Sequence, residues 1–257
     1  MYYEVHGRTE PDAPTVLLVS GLGGAAHYWT PNLAALSNEF RVIAYDQRGT
    51  GHSPDALPAD YAIADMADEA AALLDEIGVS QCHIVGHALG GLIGLQLART
   101  RPALVDRLVL VNAWARTHPH TLRCFAARTA LLNHTGVAAY VAAQPLFLYP
   151  AWWLADRQEW LAAQDAAAVA HFPPVETVLR RIDAIAAFDL QTDLPAVTAS
   201  TLVVASRDDL LVPYQASEDL AARLPNAQLS LLERGGHACN VTEPGSFDAA
   251  VGAFLRA

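Results

Sequence analysis

Six short runs of apolar, largely β-branched residues recur along the chain, and longer segments with helical patterns separate them. The runs cover residues 15–20, 41–45, 82–85, 107–111, 201–205 and 228–232. Most are apolar at consecutive positions, which is typical of strands buried on both faces. Strands that alternate with helices form a mostly parallel sheet flanked by helices. The pattern therefore predicts an α/β fold, and 257 residues suit one domain, with or without an insertion.

The clearest helical pattern runs over residues 63–77. Its apolar positions Ile63, Met66, Ala70 and Leu74 lie on one helical face, and Gly78 marks the end. Residues 89–99, 214–224 and 246–255 have helical patterns too. These four helices are expected to cover the sheet.

Residues 116–194 interrupt this alternation. They contain no convincing strand, many alanines and large aromatic residues, and prolines at 145, 150, 173 and 174 that predict several short helices. A helical insertion between two strands lies over the strand ends, where α/β proteins bind ligands. The sequence predicts a core of residues 1–115 and 195–257 with a helical cap of residues 116–194.

Composition excludes several functions. The net charge is −11, which argues against nucleic-acid and anionic-membrane partners. All sixteen basic residues are arginine, so Schiff-base chemistry, lysine-bound pyridoxal phosphate and a Walker-type phosphate loop are excluded. Three widely spaced cysteines fit neither a disulfide framework nor a zinc site. We expect a cytoplasmic monomer or homodimer that acts on a small molecule without a metal or cofactor.

Glycine-rich or polar loops follow four of the predicted strands. Their sequences are Ser20-Gly21-Leu22-Gly23-Gly24, Asp46-Gln47-Arg48-Gly49-Thr50-Gly51-His52-Ser53-Pro54, Gly86-His87-Ala88-Leu89-Gly90-Gly91, and Ser206-Arg207-Asp208-Asp209-Leu210-Leu211-Val212-Pro213. Gly235-Gly236-His237 follows near the C-terminus. The glycines of the first loop leave backbone N–H groups open to an anion.

Along nearly its whole length, this set resembles the α/β-hydrolase superfamily. Residues 46–53 match that family's D-x-R-G-x-G-x-S turn, and residues 86–90 occupy the place of its G-x-S-x-G nucleophile elbow. The resemblance implies that His237 is the catalytic histidine and that Asp209, four residues before Pro213, is the acid. Asp208 is the competing candidate, and the spacing assigns it to the turn instead. The backbone N–H groups of Leu22 and Leu89 would form the oxyanion hole.

Three longer segments resemble a narrower family, the hydrolases of the Rut pathway of pyrimidine utilisation. They are His87-Ala88-Leu89-Gly90, the predicted cap segment 144–150 with sequence QPLFLYP, and the segment 236–242 with sequence GHACNVT. This resemblance implies hydrolysis of a small carbamate or of 3-aminoacrylate, both of which arise from uracil breakdown.

The nucleophile position is Ala88, which has no hydroxyl group and cannot form an acyl-enzyme. The resemblance to the Rut family implies that this alanine is natural; the alternative is an engineered replacement of serine. His237, oriented by Asp209, would then act as a general base on a water molecule. Such a site suits substrates that already decay in water, such as carbamates and enamines.

Other polar residues in or near these loops are further candidates for functional roles. Ser20 is expected at the base of the loop that carries Leu22, with its hydroxyl pointing at the backbone. Ser53 is expected to cap its own turn. Cys239 has an apolar flank, which predicts a buried thiol with a raised pKa and poor nucleophilicity. His87 is expected to play a structural part beside Ala88. Asp46 and Arg48 are expected to stabilise their own turn.

The remaining pocket candidates are Gly21, Trp114, Arg116 and the cap residue Phe147. Trp114 follows the fourth strand and is expected to form a pocket wall, whereas most cap aromatics are expected to form the cap's own core. The arginines that could bind a substrate carboxylate are Arg116, Arg123 and Arg128. Arginine on a helix is more often solvated, so the sequence does not choose among them.

Three rival functions stay open at the level of sequence. The first is a receptor for a small ligand that keeps the hydrolase fold without turnover. The second is a serine esterase or amidase disabled at Ala88, and the third is a cofactor-free lyase or oxygenase that uses the same histidine as a base. An intact histidine and aspartate argue against the receptor, which needs no poised base.

Overall fold

The computed structural model describes residues 1–10 and 12–257 and contains a seven-stranded sheet. The strands are β1 (Tyr3–Gly7), β2 (Thr15–Val19), β3 (Arg41–Tyr45), β4 (Cys82–His87), β5 (Val105–Val111), β6 (Ser200–Ser206) and β7 (Ala227–Leu232). Their order across the sheet is β1-β3-β2-β4-β5-β6-β7. Only β1 is antiparallel to its neighbour, and the other six strands are parallel. The predicted α/β fold with a mostly parallel sheet is confirmed.

Eleven α-helices are found in the described residues. They are α1 (Thr30–Ser37), α2 (Ile63–Glu76), α3 (Leu89–Thr100), α4 (Pro119–His134), α5 (Val137–Leu148), α6 (Ala151–Leu154), α7 (Gln158–Ala170), α8 (Val175–Ala187), α9 (Tyr214–Arg223), α10 (Cys239–Thr242) and α11 (Pro244–Arg256). Among these residues, no helix is both long enough and apolar enough to cross a bilayer.

The central strands are apolar on both faces because helices cover both sides of the sheet. In β2, Leu17 and Val19 face a core that α2, α3 and α9 share, whereas Val16 and Leu18 face the core formed with α1 and α11. Successive side chains of a strand point to opposite faces of the sheet. A strand that is covered on both faces therefore needs apolar residues at every position. The parallel strands have their carboxyl ends at the same edge of the sheet, so the loops that follow these strands lie together at that edge.

Strand β1 and helix α1 are among the elements that the sequence did not predict. Strand β1 alternates between exposed and half-buried residues along its five positions, so it lacks the continuous apolar pattern of the inner strands. It lies at the edge of the sheet, where one side faces solvent. Helix α1 buries only Asn32 and Leu36, which leaves too weak an apolar stripe to recognise.

Helices α4 to α8 lie between β5 and β6 and are called here the inserted helices. The two ends of this segment meet, because the Leu190 N–H donates to the carbonyl of Ala115 at 2.9 Å and Arg116 pairs with Asp189. The prediction that Pro145 separates two helices was wrong. It lies in the last turn of α5, where the missing N–H removes one hydrogen bond without ending the helix. None of the residues of α7 is buried.

Candidate active site

The loop from β4 to α3 holds Ala88 in a strained backbone conformation. Its φ is +50° and its ψ is −113°, a region that residues with a side chain rarely adopt. The turn is tight enough that a Cβ on Gly86 would lie 2.3 Å from the carbonyl oxygen of Gly90, and one on Gly90 would lie 2.1 Å from that of Val19. Both glycines of the elbow are therefore required by space, although the residue between them has no hydroxyl.

His237 and Asp209 are joined by a hydrogen bond between Nδ1 and Oδ2 of 2.8 Å. The second carboxylate oxygen of Asp209 accepts from the backbone N–H groups of Leu211 at 2.8 Å and Val212 at 2.9 Å. The side chain of His237 is 3% exposed and that of Asp209 is fully buried. The aspartate is thus fixed in the loop after β6, and among the described residues the other ring nitrogen of His237, Nε2, has no hydrogen-bond partner.

Asp208 has a different partner. Its Oδ1 accepts from the backbone N–H of Gly236 at 2.8 Å, although the residue is exposed. The two adjacent aspartates therefore both stabilise the loop that carries His237, called here the histidine loop. Asp209 binds the imidazole of His237, and Asp208 binds the backbone N–H of the preceding residue, Gly236. The expectation that Asp208 is only a turn residue misses this contact, which joins positions 28 residues apart.

Two backbone N–H groups are available as anion donors. Leu89 is the first residue of α3, so its N–H has no partner within the helix and lies at the positive end of the helix dipole. The loop after β2 carries the N–H of Leu22, and no acceptor for it is found in the described part of the chain. This loop is held by Arg181 of α8, which donates from Nη1 to the carbonyl of Leu22 at 3.0 Å.

His87 is buried next to the dyad of His237 and Asp209. Its Nε2–H donates to the backbone carbonyl of His237 at 2.9 Å, and the two imidazole rings are 4.7 Å apart. Burial, together with the neighbouring His237, lowers the pKa of His87 to about 3, so the ring is neutral. A Cβ on Gly21 would lie 3.0 Å from its Nδ1, which shows how closely the oxyanion loop approaches.

Asn112, which sequence reasoning missed, also positions the histidine. It directly follows β5 and has a φ of +47°, which is unusual for a residue other than glycine. Its Nδ2 donates to the carbonyl of His237 at 2.6 Å, and its Oδ1 accepts from the N–H of Ser206. An asparagine after a strand is a weak sequence signal, because its partner lies 125 residues away.

The serine and cysteine candidates have mixed outcomes. The hydroxyl of Ser20 is buried but has no hydrogen-bond partner among the described residues, so the expected bond to backbone is wrong. Ser53 does not cap its own turn; its Oγ accepts from the N–H of Tyr2 at 2.9 Å. Cys239 is fully buried, and burial raises the pKa of its thiol to about 12, as predicted. In the described residues, no hydrogen bond joins any of the three side chains to the imidazole of His237.

Asp46 and Arg48 lie in the turn after β3. The carboxylate of Asp46 accepts from the backbone N–H groups of Ala26 and His52, each at 2.8 Å. Arg48 donates to the carbonyl of Ala56 and pairs with Glu69. Both side chains are therefore engaged by the scaffold.

The pocket candidates around the dyad lie in different environments. Trp114 is buried in the core and donates from Nε1 to the Thr117 hydroxyl at 3.0 Å, whereas the side chain of Arg116 is 65% exposed beside Asp189. Phe147 of α5 is partly buried. The next residue, Leu148, accepts from the N–H of Ala238 at 3.0 Å, so the end of α5 rests on the histidine loop.

The dyad is enclosed. Ala88 is 6% exposed and Leu89 is fully buried, like the two dyad side chains. Two shallow depressions of the surface lie elsewhere, one beside Arg48 and Glu69 and the other beside Arg107 and Asn226. Within the described residues, no group of three or more metal-ligating side chains is found.

Comparison with known families agrees with this geometry. The family described as alpha/beta hydrolase fold matches residues 14–244. The chain belongs to the α/β-hydrolase family. Within this α/β-hydrolase, the matched region includes the elbow, both aspartates and His237.

Curated relatives narrow the assignment. The chain is 56% identical to a protein of Stutzerimonas stutzeri (strain A1501) named "Putative carbamate hydrolase RutD", with 96% of this chain and 94% of the relative covered. It is 51% identical to a protein of the same name from Pseudomonas syringae pv. syringae (strain B728a), with 99% and 98% covered. The resemblance of this α/β-hydrolase to the Rut-pathway hydrolases is thereby confirmed.

A solved structure extends the agreement to three dimensions. The enol-lactonase from Burkholderia xenovorans LB400 superimposes with a TM-score of 0.90 at 27% identity, covering 100% of this chain and 96% of that one. The inserted helices of the α/β-hydrolase are included in this full coverage, so the shared architecture is not limited to the sheet.

Proposed function

We propose that this chain is an aminohydrolase of pyrimidine breakdown that works without a cofactor and releases ammonia from a small carbamate or from 3-aminoacrylate. The name that the relatives carry, carbamate hydrolase, supports the substrate class. The observation that carries the mechanism is the 2.8 Å contact between His237 and Asp209, next to an elbow that keeps its strain but has alanine at the nucleophile position.

Asp209 sets the protonation state that His237 needs. Its carboxylate oxygen accepts from Nδ1–H, which leaves the lone pair of Nε2 to receive a proton. In a serine hydrolase that proton comes from the serine hydroxyl. With Ala88 at this position, the proton comes from water, and the resulting hydroxide attacks the substrate directly.

Both candidate reactions balance with water as the only co-substrate. Carbamate, H₂N–COO⁻, takes up water and yields bicarbonate and ammonia; the C–O bond to hydroxide forms and the C–N bond breaks. 3-Aminoacrylate first takes up a proton at the carbon next to its carboxylate, which gives an iminium ion. The protonated form of His237 donates this proton and becomes the neutral base, and it is restored at the end by the proton that the carbinolamine hydroxyl loses. Water adds to the iminium carbon, and the resulting carbinolamine expels ammonia to leave the aldehyde malonate semialdehyde. In each case, His237 takes a proton from water and returns it to the leaving nitrogen.

The N–H groups of Leu22 and Leu89 stabilise charge on the oxygen that is attached to the reacting carbon. Donors of this kind are worth roughly 3–4 kcal/mol each when they are preorganised in a site that excludes water. Leu89 is held by helix α3, and the Leu22 loop is held by Arg181. This assistance, combined with a general base, suffices for substrates that decay without an enzyme.

The inserted helices act as a cap that restricts the site to small molecules, and we assign to this cap residues 116–194. The exposures of 3% and 0% for the dyad side chains support a closed site. A site closed to bulk water strengthens the electrostatic contacts on which the mechanism depends.

The test is ammonia release from 3-aminoacrylate generated in the assay and from carbamate, each compared with the uncatalysed decay. We expect the His237→Ala variant to lower the rate by about 10²–10⁴-fold, the usual contribution of a general base. His134→Ala, an exposed histidine at the end of α4, is the matched control and keeps full activity. Binding of either substrate without turnover by the unmodified protein would instead identify a receptor and contradict the proposal.

A further inference from the structure

Arg128 of α4 is buried without an acidic partner. The residue is 2% exposed, and among the described ion pairs none involves it. Its Nη2 donates to the hydroxyl of Tyr140 at 2.9 Å and to Oε1 of Gln144 at 3.0 Å. Its Nε is buried and has no hydrogen-bond partner. Buried arginines are normally paired with a carboxylate, because an uncompensated cation is costly in a dry environment.

Aromatic rings surround the guanidinium instead. The ring centroids of Phe125, Tyr140 and Phe147 lie 5.4, 5.2 and 5.8 Å from its Cζ. Contacts with ring faces stabilise a cation without neutralising it. The site therefore keeps a full positive charge in apolar surroundings, where its attraction for an anion is much stronger than in water.

The helices that carry this charge rest on the two loops of the dyad. On α4, the hydroxyl of Thr121 donates to the carbonyl of Leu211, two residues after Asp209, at 2.9 Å. At the end of α5, one residue after Phe147, the carbonyl of Leu148 accepts from the N–H of Ala238, next to His237. Arg128 is thus held between one helix anchored on the aspartate loop and another anchored on the histidine loop.

Electrostatics at Cys124, one helical turn before Arg128, agree with this placement. The Cys124 thiol has a raised pKa, chiefly through burial, and both Arg128 and Asp209 act on it, with opposite signs. Because both groups act on the same thiol, the guanidinium of Arg128 and the carboxylate of Asp209 both lie close enough to Cys124 for their charges to affect it. Its Sγ also lies 3.8 Å from the carbonyl of Leu210, beside Asp209.

We propose that Arg128 is the binding site for a carboxylate of the substrate, a role that rests on the proposed function and narrows its substrate class. The Nε–H and Nη1–H groups are the donors left for that anion, since Nη2 is engaged by Tyr140 and Gln144. These side-chain donors of α4 are different groups from the backbone N–H groups of Leu22 and Leu89 that form the proposed oxyanion hole. The preferred substrate is therefore a small acid in which water attacks a carbon other than the carboxylate carbon.

This distinction separates the two candidate substrates. In carbamate the only carboxylate carbon is itself the electrophile, so the same group cannot occupy the Arg128 site and the oxyanion hole. In 3-aminoacrylate the carboxylate is two bonds away from the carbon that loses ammonia. The geometry therefore favours 3-aminoacrylate and related β-amino acrylic acids over carbamate.

Binding of acrylate, a stable carboxylate of the same length, tests the site without catalysis. Acrylamide is the neutral probe of the same shape, and titration calorimetry or ligand-observed NMR gives both dissociation constants. We expect Arg128→Gln to weaken acrylate binding at least 10-fold, Arg128→Lys to retain part of it, and acrylamide binding to stay within 2-fold. Arg123→Gln is the matched control, since it removes the same charge from an exposed position on the same helix and leaves both probes unaffected.

The outcomes separate this inference from the proposed function. Unchanged acrylate binding by a folded Arg128→Gln protein overturns the carboxylate site, whatever its activity, and shows that the arginine only joins α4 to α5. An equal loss for acrylate and acrylamide also overturns it, because that is the signature of a distorted cap. If Arg128 governs acrylate binding but no substrate turns over, the site stands and the proposed hydrolysis fails.

Discussion

Arg181 of α8 donates from Nη1 to the carbonyl of Leu22 at 3.0 Å and from Nη2 to the carbonyl of Arg48 at 2.9 Å. Its side chain is completely buried, and a Cβ on Gly24 would lie 2.2 Å from Nη1. One residue of the inserted helices thus fixes the loop that presents the Leu22 N–H. Two loops that carry the strongest sequence motifs are joined through an arginine that no motif includes.

Replacing Arg181 with methionine should therefore affect catalysis as well as stability. Two buried carbonyls lose their donors, at about 1–3 kcal/mol each, and the Leu22 loop loses its support. We expect kcat to fall by roughly 10–100-fold with KM changed little, because the proposed role of the Leu22 N–H is to stabilise the transition state. Urea unfolding and steady-state kinetics measure the two effects. Arg180→Met, the neighbouring residue of α8, should leave kcat within 2-fold; a similar loss there would refute a specific role for Arg181.

Asp209→Asn tests the protonation state of the dyad. The amide oxygen can still accept from Leu211 and Val212, which turns the NH₂ group toward Nδ1 of His237. The imidazole is then protonated on Nε2 and cannot accept a proton from water, so kcat should drop by about 10²–10⁴-fold. Asp208→Asn keeps an acceptor for Gly236 and should lose less than 5-fold, as measured by ammonia release. Equal losses in both variants would contradict the assignment of the acid.

Ala88→Ser distinguishes attack by water from a disabled serine hydrolase. If water attacks, the new hydroxyl competes for Nε2 of His237, and the rate on 3-aminoacrylate should stay unchanged or fall. If the alanine replaces a natural nucleophile, the same change should raise turnover of a stable ester by orders of magnitude, with a burst from an acyl-enzyme. Measuring both substrates with one variant separates the two mechanisms by the sign of the change.

Ala88→Gly tests the strain in the elbow. Glycine tolerates a φ of +50° without the steric cost of a Cβ, and the gain exceeds the entropy that glycine loses on folding. The free energy of unfolding should rise by about 0.5–1 kcal/mol in urea titrations. Ala126→Gly, at an exposed position inside α4, should lower it by about 1 kcal/mol. A loss of stability at position 88 would mean that the methyl group of Ala88 contributes more by packing than it costs in strain.

The neutral His87 predicts a pH dependence of stability. Its pKa is lowered to about 3 in the fold, below the ordinary value of 6.5, so the unfolded chain binds the extra proton first. The stabilising contribution is complete above pH 6.5 and declines as the pH falls toward 3. Between pH 7 and pH 5 this amounts to at most about 2 kcal/mol. Thermal unfolding of the His87→Gln variant should show a smaller decline over this range, and parallel curves would exclude the effect.

Local motifs explain which parts of the site were predictable. The elbow around Ala88 and the position of His237 depend on glycines that the backbone needs within a few residues, and such short-range requirements are visible in sequence. Arg181 and Asn112 act on partners 159 and 125 residues away, so their roles depend on how the sheet and the inserted helices pack. Ser53 shows the opposite error. The local sequence predicts that its hydroxyl caps its own turn, whereas the hydroxyl oxygen accepts from the N–H of Tyr2.

The fold shows the same division. The inner strands carry a continuous apolar signal because both faces are covered, whereas β1 has one edge in solvent and only a weak alternation. Pro145 was expected to end a helix because proline removes a donor, yet in the final turn of α5 the loss of one bond is tolerated. A sequence pattern indicates which secondary structure a segment favours. The position of the segment in the fold decides how far that tendency determines the structure that forms.

Helix α7 has a consequence for how substrate reaches the enclosed dyad. None of its side chains is buried, so this helix contributes little to the free energy of unfolding. It should therefore open locally far more often than the other inserted helices. It is joined to the end of α5 through the edge-on contact of Trp160 with Tyr149. Amide hydrogens of residues 158–170 should exchange with solvent well before those of α4. Because the end of α5 also contacts the loop that carries His237, opening of α7 would loosen one boundary of the enclosed dyad. Turnover of a labile substrate should then slow as solvent viscosity rises.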